Sequence, residues 1–203
     1  MINFHANNGT NNQIIYKEKT FKVIKFNING ENNLIQIGDY DGVFNRNCSI
    51  NINGNLNKII INDNVSLKGL SITVIGNNNN VFIGNNTSFN KACEIYCSSE
   101  KNIQIGEDCM FSKNISISTS DIYTIYDIKT NERINPPKSI YIGNHVWICT
   151  DCDIQKGSKI LDGSIVGAYS IVNQEFTEKN VLIAGQPAKI LKNNVNWDKR
   201  VHI

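Results

Sequence analysis

The sequence has few histidines, few prolines and no apolar run long enough to cross a bilayer. Its first twelve residues, MINFHANNGTNN, are polar from the third onward, so we expect neither a secretory signal nor an integral membrane segment. The net charge of +2 is too small, and its Lys and Arg residues are too dispersed, to form a nucleic-acid footprint. These absences predict a cytoplasmic protein with no nucleic-acid partner.

Six cysteines are present, but in a chain of 203 residues without a signal they are better explained as reduced, buried thiols than as a disulfide framework. Cys149 and Cys152 have metal-knuckle or redox spacing, and Cys93 and Cys97 are a conceivable second half of a zinc site. Neither pair has the turn glycines or the βαβ context of such sites, and small thiols commonly fill narrow β cores. We therefore expect no metal.

A six-residue repeat is the dominant pattern in the sequence. Apolar residues, nearly all Ile or Val, stand at 142, 148, 154, 160, 166 and 172, at 83, 89 and 95, and at 105, 111 and 117. A step of six matches neither the 3.6-residue period of a helix nor the alternation of one flat strand. It is typical of short strands joined by tight corners, with one side chain per face pointing into a narrow prism.

A longer period overlies the first. The isoleucines of IGDY, INDN, IGNN, IGED, IGNH and ILDG are separated by 24, 22, 22, 37 and 18 residues. Three steps of six make eighteen, so each unit is predicted to be one three-sided coil, with Asn, Asp and Gly forming its corners. The 37-residue interval holds either two coils or one coil with an excursion. The prediction is an all-β fold, a parallel β-helix over residues 36–180.

The two ends of the chain lack this repeat. Residues 1–35 alternate like strands without clear hexads, which predicts an N-terminal β cap. Residues 181–203 include AGQPAKILKNNVNW, in which Ala, Ile, Leu, Val and Trp recur at roughly helical spacing after a Pro. That spacing predicts a short C-terminal helix that covers the end of the solenoid.

Residues 109–148 read CMFSKNISISTSDIYTIYDIKTNERINPPKSIYIGNHVWI, and IAGQPAKIL follows later. These stretches resemble the hexapeptide-repeat acyltransferases, especially the O-acetyltransferases of bacterial polysaccharides and sialic acids. The resemblance implies a left-handed β-helix, a homotrimer with sites between subunits, acetyl-CoA as co-substrate and a sugar or polysaccharide acceptor. It also implies that residues 118–139 are a loop that reaches the neighbouring subunit's groove.

Acetyl transfer to a hydroxyl needs a base, donors for the oxyanion and a groove that holds the thioester in line. The resembling enzymes use a histidine in an SD-x-H stretch as that base, and this sequence has Tyr123 at the same position. A phenol has an ordinary pKa near 10 and is a poor base at neutral pH. Three interpretations stay open: Tyr123 positions the acceptor, another group acts as base, or the chain is a weakly active or inactive scaffold or binding protein.

Other candidate residues follow from the same resemblance. Asp121 would orient the catalytic group, although a corner-capping carboxylate is equally typical. His145 of GNHVW would line the groove, or else only pack in a corner; His5 and His202 are expected at the surface. Trp147 has a counterpart beside the thioester and acceptor, with a trimer-interface aromatic as the alternative. Because an indole is too large for the inside of so narrow a prism, we expect Trp147 to point outward.

The resemblance also places a CoA site between two coils. The pantetheine arm would meet backbone amides, and the nucleotide would meet the GQPAK segment with a lysine on its 3′-phosphate. Cys149 and Tyr169 stand where the family has small residues. The implied contacts are Trp147, Cys149, Gly167, Ala168, Pro187, Ala188, Lys189 and Lys192.

Overall fold

The computed structural model describes residues 3–16, 24–40 and 48–200, which form a β-solenoid. The described ranges contain no helix, and hence none that could cross a membrane. Their strands are β1 Asn3–Asn7, β2 Gln13–Tyr16, β3 Ile24–Asn29, β4 Leu34–Ile37, β5 Cys48–Asn53, β6 Lys58–Ile61, β7 Ser66–Leu67, β8 Leu70–Ile75, β9 Asn80–Ile83, β10 Ser88–Ser98, β11 Asn102–Ile105, β12 Met110–Ser118, β13 Ile140–Ile142, β14 Trp147–Ile148, β15 Asp153–Ile154, β16 Lys159–Ile160, β17 Ile165–Val166, β18 Ile171–Val172, β19 Leu182–Gly185 and β20 Ala188–Lys192.

The strands of successive coils pair in parallel along three faces. One face is a seven-stranded sheet in the order β16-β13-β11-β9-β6-β4-β2. A thirteen-stranded sheet forms the other two faces. This sheet continues round a corner because β10 is long: Phe89 pairs with Leu67 on one face, and Ile95 pairs with Ile72 on the next.

The hexad positions are the core of the solenoid. Ile61, Ile83, Ile105 and Ile142 are successive partners in the seven-stranded sheet, and all four are buried. The other predicted hexad positions are buried as well, including Phe89, whose ring stacks on that of Phe111 at a centroid distance of 4.6 Å. The predicted parallel β-helix is confirmed. In the longer strands more than one side chain per face points inward, since both Ile59 and Ile61 of β6 are buried.

The pairing of β11 with β13 shows which of the two explanations of the 37-residue interval is correct. Ile105 pairs directly with Ile142, so the interval is one coil with an excursion. The chain leaves the coil after Thr119 and rejoins it at Lys138, whose amide donates to the Thr119 carbonyl at 3.0 Å. We call residues 120–137 the arm; they fall inside the predicted loop of residues 118–139.

Asparagine and aspartate recur at the corners of the coils. At one corner Asn64, Asn86, Asp108 and His145 occupy equivalent places, and each has a φ between 53° and 58°. Asn and Asp tolerate this left-handed conformation better than other non-glycine residues, which accounts for their abundance here. The repeated corner residue is therefore a requirement of the turn.

The prediction of a C-terminal helix is wrong. Residues 182–192 form an antiparallel hairpin, in which Ala184 of β19 pairs with Lys189 of β20. Ile183 continues the inward ladder of Val166, so the open strand edge offers backbone groups that β20 satisfies. The apparently helical spacing arises because Ala188 enters the core.

The N-terminal segment continues the ladders. β1 pairs in parallel with β3, and β2 pairs in parallel with β4, so these strands extend both sheets. The predicted cap boundary at residue 35 stays a prediction, and residues 17–23 of that segment lie outside the described residues. His202 of the C-terminal segment also lies outside them.

The buried asparagine ladder provides a test of what stabilises the coils. The Asn57 amide group donates to Asn33 Oδ1 at 3.0 Å and to the Gly76 carbonyl at 2.8 Å, and its oxygen accepts from Asn79. Asn57→Ala leaves these buried partners without their hydrogen bonds, so we expect a loss of about 2–3 kcal/mol in the free energy of unfolding. Urea denaturation measures this, with exposed Asn80→Ala as the matched control. Equal losses for the two variants would contradict the prediction.

Candidate functional site

The predicted site residues lie at three different corners of the prism. The first corner follows the seven-stranded sheet and includes residues 143–146. The second follows β14 and includes residues 149–152. The third follows β15 and includes residues 155–158, and the arm leaves the previous coil at this same corner.

His145 at the first corner is held between two acceptors. Its Nδ1 lies 2.6 Å from Asp108 Oδ2, and its Nε2 lies 3.1 Å from the backbone carbonyl of Trp197. Neither partner can donate, so both contacts are hydrogen bonds only when both ring nitrogens carry protons. The imidazole then has no lone pair with which to accept a substrate proton. This arrangement favours the packing interpretation of His145 over its use as a base.

Asp108 is the acidic partner at this corner. Burial acts to raise its pKa, but hydrogen bonds from Lys199 and His145 outweigh that effect, and its pKa lies below the ordinary value. Lys199 Nζ lies 2.6 Å from the second carboxylate oxygen. The carboxylate is therefore ionised between two donors.

Trp147 points outward, as predicted. Its neighbour Ile148 is fully buried in the core, and the Trp147 indole lies half-buried on the outer face. Its Nε1 donates to Ser112 Oγ at 3.2 Å, and its ring lies 5.9 Å from that of Trp197. The indole is consequently fixed by one hydrogen bond and one aromatic contact.

The second corner brings together three of the predicted CoA contacts. The Cys149 amide donates to the Val166 carbonyl at 2.9 Å, and the Gly167 amide donates to the Ile183 carbonyl at 2.8 Å. These two amides therefore already donate to backbone carbonyls of the next coil and are not available to a ligand. The exposed Ala168 amide makes no hydrogen bond within the described ranges, so it is the one able to donate to a ligand.

The Cys149 thiol is not poised for nucleophilic attack. Burial, with a smaller contribution from the adjacent Cys152, raises the pKa of this thiol to about 11. The thiol is therefore protonated near neutral pH, and it does not form the thiolate that covalent catalysis requires. All six cysteines are free thiols, five of them buried.

The hairpin separates the remaining predicted CoA contacts. Pro187 and Lys189 are exposed next to the second corner, whereas Ala188 is fully buried and its carbonyl accepts from Gln174. Lys192 pairs with Leu182 at the far end of β20, toward the first corner. Pro187 and Lys189 can reach a ligand at the second corner, but the Ala188 side chain cannot.

Asp121 at the third corner anchors the arm. Its carboxylate pairs with Lys156 and accepts from Asn135 Nδ2 at 2.8 Å. The hydrogen bond from Lys156 is the main cause that lowers the pKa of Asp121. Buried Asn135 also donates to the Tyr123 carbonyl and accepts from the Ile125 amide. Asp121 thus fixes the arm backbone, while the Tyr123 side chain is 81% exposed.

The arm is an apolar projection. An isolated antiparallel bridge joins Tyr126 to Arg133, and the Ile134 amide donates to the Ile125 carbonyl, so the arm is hairpin-like. Large apolar side chains are exposed along it, namely Ile122, Tyr123, Ile125, Tyr126, Ile128 and Ile134. Tyr123 leaves from the third corner and Trp147 lies beyond the first, so one chain does not bring them together.

Four residues of these clusters were not anticipated. Asp108 could have been found, because it stands 37 residues before His145, the same interval that separates Ile105 from Ile142. Asn135, Lys156 and Trp197 follow no repeat that would connect them to their partners. Across the described ranges, no cluster of three or more His, Cys, Asp or Glu residues could hold a metal ion.

Comparisons with known proteins give a consistent result. No family model matches the chain. The polysialic acid O-acetyltransferase of Neisseria meningitidis is 31% identical over 86 residues, which are 42% of this chain and 40% of that protein. The corresponding enzyme of Escherichia coli O1:K1 is 32% identical over 84 residues, 41% of this chain and 27% of that protein. These aligned segments span less than half of either curated relative.

Solved structures extend the likeness over nearly the whole chain. The crystal structure of the polySia-specific acetyltransferase NeuO has a TM-score of 0.71 and 30% identity, and the match covers 87% of this chain and 89% of that one. The polysialic acid O-acetyltransferase OatWY has a TM-score of 0.76 and 28% identity, with 100% and 93% covered. This likeness confirms the left-handed form of the β-helix.

Asn135 supplies a test of how the arm is held. Asn135→Ala removes hydrogen bonds to Asp121, Tyr123 and Ile125 without touching the solenoid core. We expect amide hydrogen exchange within the arm to quicken by about tenfold, the effect of losing roughly 1.4 kcal/mol of local stability. The melting temperature should change little. Exposed Thr124→Ala is the control, and unchanged exchange in Asn135→Ala would disprove the anchoring role.

Proposed function

The chain belongs to the hexapeptide-repeat acyltransferases, and we propose that it transfers an acetyl group from acetyl-CoA to a sugar hydroxyl of a surface polysaccharide. An acidic polysaccharide of the sialic acid type is the first acceptor to test, because both solved relatives act on polysialic acid. The observation that carries the proposal is the arm, which projects Tyr123 from the position where the resembling enzymes place their catalytic loop.

The acting unit would be an assembly of copies of this chain, of which a homotrimer is the form that the resemblance implies. Within one chain, Tyr123 and Trp147 belong to different corners. A long apolar arm, with Ile128 fully exposed, is expected to cover its surface against a partner. If the arm reaches a neighbouring copy, Tyr123 of one subunit meets Trp147 of the other, and each site is built from two chains.

Donor binding would use the second corner and the outer face of β14. The Ala168 amide is available to the pantetheine arm, and Lys189 is exposed for a phosphate of the nucleotide. Trp147, already oriented by Ser112, would lie beside the thioester. Acetyl-CoA supplies the activated acyl group.

In the proposed reaction the acceptor oxygen bonds to the acetyl carbonyl carbon and the carbon–sulfur bond breaks. The hydroxyl proton ends on the departing sulfur, which leaves as the free thiol of CoA. Tyr123 would hydrogen-bond the acceptor hydroxyl and hold it in line, a positioning role that a neutral phenol can fill. Asp121, bound by Lys156 and Asn135, would keep the arm in place.

A second candidate function is a glycan-binding or CoA-binding scaffold with little catalysis. The observation that favours it is the absence of an imidazole from the arm, together with the use of His145 for contacts within its own corner. Binding without turnover is the outcome that would establish it.

Tyr123→His separates the two functions. Restoring the family's imidazole should raise the rate of acetyl transfer to polysialic acid by about 10²-fold if the site is otherwise intact, the usual contribution of a general base. Thiol release from acetyl-CoA measures the rate. Tyr126→His, on the same exposed arm, is the matched control and should have no effect. Stabilisation by acetyl-CoA without transfer in any variant would instead support the scaffold.

Ile128→Asp tests the assembly. A carboxylate at the fully exposed arm tip should weaken burial of the arm against a partner, so light scattering should show dissociation to smaller species and transfer should fall by at least about tenfold. Leu56→Asp is the control, because Leu56 is exposed away from the arm at a positive φ that Asp tolerates. A monomeric wild-type chain that retains transfer would refute the shared site.

A further inference from the structure

The C-terminal residues 193–200, which we call the strap, lie back across the first corner. Trp197 is nearly buried there. The Val195 amide joins the strap to the Asn180 carbonyl at 2.9 Å, and Lys199 Nζ reaches the Asn86 carbonyl at 3.0 Å and Asp108 Oδ1 at 2.6 Å. With the His145 contact described next, the strap is attached to four coils, at Asn86, Asp108, His145 and Asn180.

Its central contact is a reciprocal pair. The Trp197 Nε1 donates to the His145 carbonyl at 2.8 Å, and His145 Nε2 donates to the Trp197 carbonyl at 3.1 Å. The two rings stack at 4.3 Å with 10° between their planes. A protonated imidazole over an indole also gains the cation–π attraction. Losing the Nε2 proton would remove one of the two hydrogen bonds and this attraction together.

Trp197 also contacts Trp147 of the candidate site. Its ring lies 5.9 Å from that of Trp147 at 43°. The other contact of the Trp147 indole is its hydrogen bond to Ser112. If the strap lifts, the Trp147 indole loses the aromatic surface that limits its rotation.

We infer that Trp197 is a positioning residue for Trp147, and that the closed strap is most stable while both ring nitrogens of His145 donate hydrogen bonds. This inference rests on the proposed function insofar as Trp147 contacts the donor. The strap then couples donor binding to pH, with the closed form favoured on the acid side.

Charged groups from the neighbouring coil and from the strap lie around His145. Asp108 faces Nδ1, and the strap contributes Asp198, Lys199 and Arg200, of which Asp198 and Arg200 pair with each other. The pKa of Asp108 is lowered, so its contribution is present above the ordinary Asp range and is lost as pH falls through that lowered pKa. The closed strap therefore weakens in strong acid as well as in base.

The first experiment uses the chain's two tryptophans, which are both in this cluster. Trp147→Phe leaves Trp197 as the only tryptophan, and acrylamide quenching of tryptophan fluorescence then reports the exposure of Trp197. When the pH is raised from mildly acidic to mildly basic, quenching should rise severalfold as the imidazole loses a donor. In the double variant with His145→Asn it should be high throughout. Asn suits the φ of 53° at that corner, so the fold should be retained.

The second experiment measures the quenching of Trp147 fluorescence and the kinetics of acetyl transfer. Trp197→Phe keeps an aromatic surface, whereas Trp197→Ala removes it. We expect Trp147 emission to be more quenchable in Trp197→Ala than in Trp197→Phe. We also expect the KM for acetyl-CoA to rise by about tenfold in Trp197→Ala with a much smaller change in kcat, the pattern of lost uniform binding.

The outcomes separate the two ideas. Quenching of Trp197 that is flat with pH, with the His145→Asn double variant like Trp147→Phe alone, overturns the protonation-held strap. Equal Trp147 quenching in Trp197→Ala and Trp197→Phe overturns the positioning role. If no variant, including the wild type, transfers acetyl groups while both quenching results hold, the proposed function fails and the strap stands.

Discussion

The structure depends on the parallel ladder, which stacks each residue on its counterpart one coil away. So narrow a prism has no room for a misplaced large or charged group, so Ile, Val, Leu and Phe fill most of the inward positions. The same constraint excludes indoles, phenols and charges from the interior. All candidate chemistry therefore lies on outer faces, at corners and on the arm.

The corners carry that chemistry because they are where the chain can change without disturbing the ladder. A corner needs only a residue that accepts a positive φ, and His145 occupies one where earlier coils have Asn64, Asn86 and Asp108. At the third corner the chain inserts the whole arm between Thr119 and Lys138, yet β11 still pairs with β13 in register. Insertions at corners therefore cost the core little.

The same geometry separates the predicted site residues within one chain. Three corners point in three directions, so Trp147 and the residues of the second corner lie apart from Tyr123. The arm reaches outward with exposed apolar side chains, whereas the strap folds back so that its Trp197 stacks on His145. Both are held by polar contacts to the solenoid, Asp121 with Lys156 in one case and Asp108 with Lys199 in the other.

The sequence alone determined the β-helix, its inward residues, the outward direction of Trp147 and the excursion, because a coil repeats every eighteen or so residues and its period is visible in the chain. The sequence pattern wrongly indicated a helix where the structure has the C-terminal hairpin. Apolar spacing over a few residues does not distinguish a short helix from a strand added at an open sheet edge. Only the tertiary structure decided that Asp121 pairs with Lys156 and that His145 contacts Trp197. These contacts join residues 35 and 52 positions apart, at places where the repeat is interrupted or has ended, so no local period encodes them.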